Sequence, residues 1–158
     1  MLTFVNWSSF VPDLVIALIS TALAVTVALT TYFHQQSLKN RQLVCNLADD
    51  LSMRRAFALV EPRVGSGGDA DRCFRSVEAA QHRIAEIRDE IAPNHDLRQE
   101  LQQLVFACVT YKSSVEVEPR RWVFALMRLR GDLVLGLSHI EKLMKLPPGS
   151  LPAPGTAQ

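Results

Sequence analysis

Glu78, His82 and Glu86 recur at four-residue spacing, which sets two carboxylates and an imidazole on one face of a helix. With ligands from a second helix such a trio would hold a divalent cation. The same spacing describes a solvated, ion-pairing face, and that is the reading adopted. Asp49 and Asp50 are adjacent carboxylates, but neighbours on a helix point roughly 100° apart and share no proton-transfer site. His34, His82, His95 and His139 form no HExxH pattern, no two cysteines form a CxxC pair, and Gly65-Ser66-Gly67-Gly68 is not followed by the Lys-Ser or Lys-Thr of a phosphate-cradling loop. The sequence therefore assigns no catalytic residue, no metal ligand and no cofactor, and the expectation is a protein that is not an enzyme.

The more informative residues lie near the C-terminal end, in Arg120-Arg121-Trp122-Val123-Phe124-Ala125-Leu126-Met127. Trp122, Leu126, Leu129, Leu133, Gly136, Ile140 and Leu143 alternate at spacings of four and three, the signature of one buried helix seam. Phe124 and Leu135 fall opposite that seam, flanked by Met127 and Val134. A helix apolar on a second face needs a second neighbour, so these four residues are expected to meet another subunit or a partner protein. Arg120 and Arg121 occupy the first turn, where positive charge opposes the helix dipole by about 0.3–1 kcal/mol. They are candidate contacts for an anion, although Glu118 stands beside them to offset the charge.

The elements that carry these residues are helical. Val44, Leu47 and Leu51, with Ala58 two turns on, give a first stripe. Cys73, Val77, Ala80, Ile84, Ile87 and Ile91 give a second, and Leu97, Leu101, Leu104, Cys108, Tyr111 and Val115 a third. Pro93 separates the second and third stripes, with Asn94 or Asp96 opening the next helix. Short connections between such stripes predict antiparallel neighbours. The spacing thus predicts an all-α fold, with an antiparallel bundle of about four helices, coiled-coil-like in its seams, over residues 34–146. Gly65-Ser66-Gly67-Gly68-Asp69 reads as a flexible turn, and the Pro-, Gly- and Ala-rich residues 147–158 read as a disordered tail.

Ahead of this domain runs VPDLVIALISTALAVTVALTTYF. Residues 14–38 contain no Asp, Glu, Lys or Arg, and a helix over residues 11–33 is about 33 Å long at 1.5 Å per residue, enough to cross a hydrocarbon core of about 30 Å. Ala22-Leu23-Ala24 has the form of a signal-peptide cleavage site, but no Lys or Arg precedes the run and the run continues past it. A retained transmembrane helix is expected. Lys39 and Arg41 follow it closely, which makes the C-terminal side cytoplasmic and leaves residues 1–10 outside the cell membrane. Phe4, Trp7 and Phe10 suit one interface, Tyr32 and Phe33 the other. Pro12 and Asp13 suit a first helical turn. Ser20, Ala24 and Ala28 recur at four-residue spacing, with Ala17 and Thr21 on an adjoining face, a pattern that favours helix association in lipid. No Gly or Pro occurs between Pro12 and Pro62. The span either continues into the domain as one helix or breaks near His34-Gln35-Gln36-Ser37, with Ser37 as a cap.

The 158 residues carry a net charge of +1, with acidic excess in residues 65–92 and basic excess in residues 118–146. That balance excludes a polybasic nucleic-acid binder. Cys45, Cys73 and Cys108 are odd in number and scattered through helical patterns, which fits a reducing compartment. Cys45 is close to the span, where a lipid would add little to an anchor already present. The expected partners are the lipid bilayer, a second copy of the chain and other subunits of a membrane complex. The expected function is a membrane-anchored scaffold, adaptor or accessory subunit that self-associates. The alternative is an oligomeric membrane-perturbing effector whose cytosolic bundle senses a signal and clusters the spans.

Overall fold

The computed structural model describes residues 7–58, 67–92 and 94–152, with backbone alone for residues 7–13 and 67. The expected roles of Phe4, Trp7, Phe10, Pro12, Asp13, Pro93 and residues 153–158 lie outside what is described. The described residues are helical, with four α-helices, one 3₁₀ turn and no strand. These are α1 (Trp7–Met53), α2 (Gly67–Glu90), α3 (His95–Val117), the 3₁₀ turn Pro119–Arg121, and α4 (Trp122–Leu143).

α1 passes through His34-Gln35-Gln36-Ser37 as helix, so Ser37 caps nothing there; with no Gly or Pro in the stretch, no residue forces an end. The chain nevertheless divides into two compact units after Lys39. In the first unit the side chains of residues 14–35 are all exposed. They form one helix long and apolar enough to cross a membrane. Its hydroxyls are closed onto the helix: Ser20 donates to the Ile16 carbonyl and Thr21 to that of Ala17, each at 2.8 Å. Thr26, Thr30 and Thr31 do the same one turn back. Such back-bonding lets a polar residue sit in an apolar helix without an unsatisfied donor.

The second unit begins at Asn40 and is built around one cluster of buried apolar side chains. Val44, Leu47, Ala48 and Leu51 supply it from the end of α1, and every residue of the stripe from Cys73 to Ile91 supplies it from α2. Leu97, Leu101, Leu104, Cys108 and Tyr111 enter from α3, as do the α4 seam residues Trp122, Leu126, Leu129, Leu133, Gly136 and Ile140. Three positions depart from the expected seams: Ala58 lies past the end of α1 and is half-buried, Val115 is half-buried, and Leu143, at the last turn of α4, is exposed.

Hydrogen bonds and ion pairs fix the directions. The Asn40 side chain accepts from Ala92 N–H (3.2 Å) while Ala56 N–H donates to Ser76 Oγ (3.2 Å), so the end of α1 runs antiparallel to α2. Arg88 donates to Gln102, and Lys112 lies 3.6 Å from Glu78, which makes α2 and α3 antiparallel as well. α3 packs in turn on α4, where an added Cβ on Gly136 would collide with the Leu104 side chain. The missing side chain lets these two helices approach closely.

The element ends have local causes. Asn94 caps α3, its side chain accepting from Leu97 N–H at 3.2 Å. Glu118 leaves helical geometry (φ −130°, ψ 78°) because the residue before a proline is excluded from it. The expected helix start at Pro119 is realised as a 3₁₀ turn, with α4 proper beginning at Trp122. At the other end Lys145 adopts φ 52°, and Leu146 N–H reaches back to the Glu141 carbonyl (2.9 Å) while Lys145 N–H bonds that of Lys142 (3.2 Å). This is a Schellman termination with lysine where glycine is usual.

Two expectations are corrected here. The turn expected over residues 65–69 is helix from Gly67 onward. Asp69 is buried and held by the Arg55 guanidinium at 3.0 Å, a partner fourteen residues away that local composition does not reveal. The tail expected to be disordered from Pro147 is instead folded back as far as it is described: Leu146 and Leu151 are buried. Gly149 N–H (3.3 Å) and Leu151 N–H (2.8 Å) both donate to the Glu141 carboxylate.

Candidate functional site

At roughly 100° per residue, the buried seam of α4 leaves Phe124, Gly131 and Leu135 at the centre of its opposite face. Met127 and Val134 lie on one flank, Arg128 and Asp132 on the other. Phe124 is 79 % exposed and Leu135 62 %, and Met127 and Val134 are also exposed. The four apolar residues singled out from sequence thus share one solvent-facing side of α4, with Arg128, Gly131 and Asp132 exposed among them. Around Gly131 an added Cβ would meet none of the described residues within 4 Å.

On the flank of Arg128 and Asp132, α3 and α4 border an open groove of about 690 Å³. Leu104, Ala107 and Gly136 form its floor, Phe106 and Leu135 its apolar lips, and one end carries His139, 3.8 Å from Glu100. Phe106 is 68 % exposed. It also lines a shallower depression that runs along α3 through Val109 to Val117. Phe106 and Val109 were legible in the same way as Phe124: Phe106 stands two residues past the seam residue Leu104, and so about 200° around the helix from it.

Arg120 and Arg121 are exposed in the 3₁₀ turn and do not line the groove. Arg121 lies 3.3 Å from Glu118, the offset that its position in the sequence suggested. In the first unit, Ala17, Ser20, Thr21, Ala24 and Ala28 are all exposed.

Three of the carboxylates with candidate spacing for chemistry are ion-paired. Glu78 faces Lys112, and Glu86 accepts from Arg83 at 3.0 Å. Asp50 accepts from Arg54 at 2.7 Å. The described residues contain no group of three or more His, Cys, Asp or Glu arranged to hold a metal. Burial pushes the Cys108 thiol up to about 12 and raises that of Cys73, where Asp69 adds to the effect. Both are therefore neutral thiols rather than nucleophilic thiolates. Tyr111 is buried, its hydroxyl without a hydrogen-bond partner among the described residues, and burial pushes its phenol up to about 12.

One residue escaped the sequence reading altogether. Arg130 reaches from α4 to the segment after α1, donating from Nε to the Ala56 carbonyl (2.8 Å) and from a terminal nitrogen to that of Ala58 (2.9 Å). Its pairing across more than seventy residues has no local signal.

Comparison of the chain with protein families, with curated proteins and with solved structures finds no match.

Proposed function

We propose that this chain is a single-pass membrane protein, N-terminus outside, whose cytoplasmic unit is an antiparallel helical bundle. It serves as a self-associating scaffold, adaptor or accessory subunit of a membrane complex. The observation that carries this reading is the first part of α1: residues 14–35 contain no Asp, Glu, Lys or Arg and are predominantly apolar, all are exposed, and their Ser and Thr hydroxyls bond to their own helix. A helix apolar on every side and bare of protein wants a lipid solvent. The exposed Phe124, Leu135 and Phe106 supply the second half, a docking surface on the bundle.

Cell fractionation with an alkaline wash tests it. The full chain should stay with the membrane pellet, and a version lacking residues 1–36 should move to the soluble fraction. Recovery of the full chain as soluble protein would remove the anchor, and recovery of a chain shortened near Ala24 would replace it with an export signal. Dye entry into cells overproducing the full chain but not the shortened one would favour a membrane-perturbing effector over a scaffold.

A further inference from the structure

We infer that the outer face of α4 docks on the same face of a second copy, the two helices running antiparallel about a two-fold axis at the level of Arg130. This rests on the self-association proposed above and names its geometry.

The outer face of α4 is self-complementary. A two-fold interface is satisfied only if each residue meets a suitable partner on the same patch, and in an antiparallel pair positions equally far from the axis face one another, each flank meeting its own counterpart. With the axis at the level of residue 130, Phe124 and the partner copy's Leu135 stand six and five residues from it, within about 1.5 Å of one level, and so join two exposed apolar side chains at the centre of the face. On one flank Met127 meets Val134, again apolar on apolar. On the other flank Arg128 meets Asp132, twice by symmetry, opposite charge on opposite charge. Among the described residues neither Arg128 nor Asp132 is paired with any other group. Within one helix the order Arg-before-Asp at four-residue spacing is the poorer one for pairing.

Gly131 falls beside the axis. A glycine in a helix interior is unfavourable relative to alanine, and here a methyl group would meet none of the described residues within 4 Å. Its use is explained if a second backbone crosses there, where the missing side chain permits close approach.

Disulfide trapping in the full chain, in membranes, tests the geometry, with Cys45→Ser as background because Cys73 and Cys108 are buried. Gly131→Cys should crosslink to its own copy. Phe124→Cys alone should not, since the two copies of that position lie about 18 Å apart along the pair at 1.5 Å per residue, far beyond disulfide reach. Co-expressed Phe124→Cys and Leu135→Cys chains should crosslink to each other. Arg128→Asp and Asp132→Arg, each added to Gly131→Cys, should lower the trapping rate by about tenfold by setting like charges face to face, and the double reversal in one chain should restore it. Trapping at Ala24→Cys without trapping at Gly131→Cys would overturn this geometry and leave self-association standing. Trapping at neither would overturn both. Single reversals without effect, or a double reversal that fails to rescue, would remove the α4 pairing.

Discussion

Arg130 Nε donates to the carbonyl oxygen of Ala56 at 2.8 Å, joining the middle of α4 to the turn that follows α1. The last carbonyls of a helix and its exit turn have no helical partner, and here a guanidinium from another helix takes two of them, at Ala56 and Ala58. Arg130→Met keeps most of the packing and removes both bonds. It should destabilise the helical unit by about 1.5–3 kcal/mol, the usual worth of hydrogen bonds to a charged group. Denaturant unfolding followed by circular dichroism reads the loss. Equal stability of Arg130→Met and the parent would show that water serves those carbonyls as well.

Alkaline pH should loosen the fold. Cys108 and Tyr111 are held neutral by burial, each ionising only at about 12 against ordinary values of 9.0 and 10.0. Between those limits the unfolded chain releases protons that the folded chain keeps, so stability is intact below about 9 and declines as pH rises toward about 12. The slope of stability against pH should flatten in Cys108→Ala. An unchanged slope in that variant between pH 9 and 11 would mean that the Cys108 thiol is not linked to folding.

Lys145 sits in the left-handed region at φ 52°, a conformation that costs an L-residue with a side chain roughly 1–2 kcal/mol. Lys145→Gly should therefore raise stability by about 1 kcal/mol, offset in part by glycine's greater freedom when unfolded. Thermal unfolding should shift upward by a few degrees. A downward shift would mean that the lysine side chain itself contributes to the turn.

The helices and their buried stripes were readable because their cause is periodic: Cys73 to Ile91 and Leu97 to Tyr111 repeat at four and three, and all are buried. Leu143 broke the pattern because α4 ends there and the chain turns away at Lys145. Phe124 and Leu135 stand out in sequence for the converse reason, being apolar where the period demands solvent. The ties between Arg55 and Asp69, Arg130 and Ala56, or Glu141 and Leu151 left no such trace. Each depends on where two distant segments arrive after packing, and a lone Arg or Glu looks the same whether it meets water or a buried carbonyl.

The proposal as a whole turns on whether the first unit of α1 crosses a membrane with the helical unit on the cytoplasmic side, and impermeant maleimide labelling of intact cells measures this directly. In a Cys45→Ser background, Thr3→Cys should be labelled from outside and Thr156→Cys only after permeabilisation, as the Lys39 and Arg41 asymmetry requires. Labelling of Thr156→Cys in intact cells, or loss of the Thr3→Cys label from a shortened chain, would contradict the proposal.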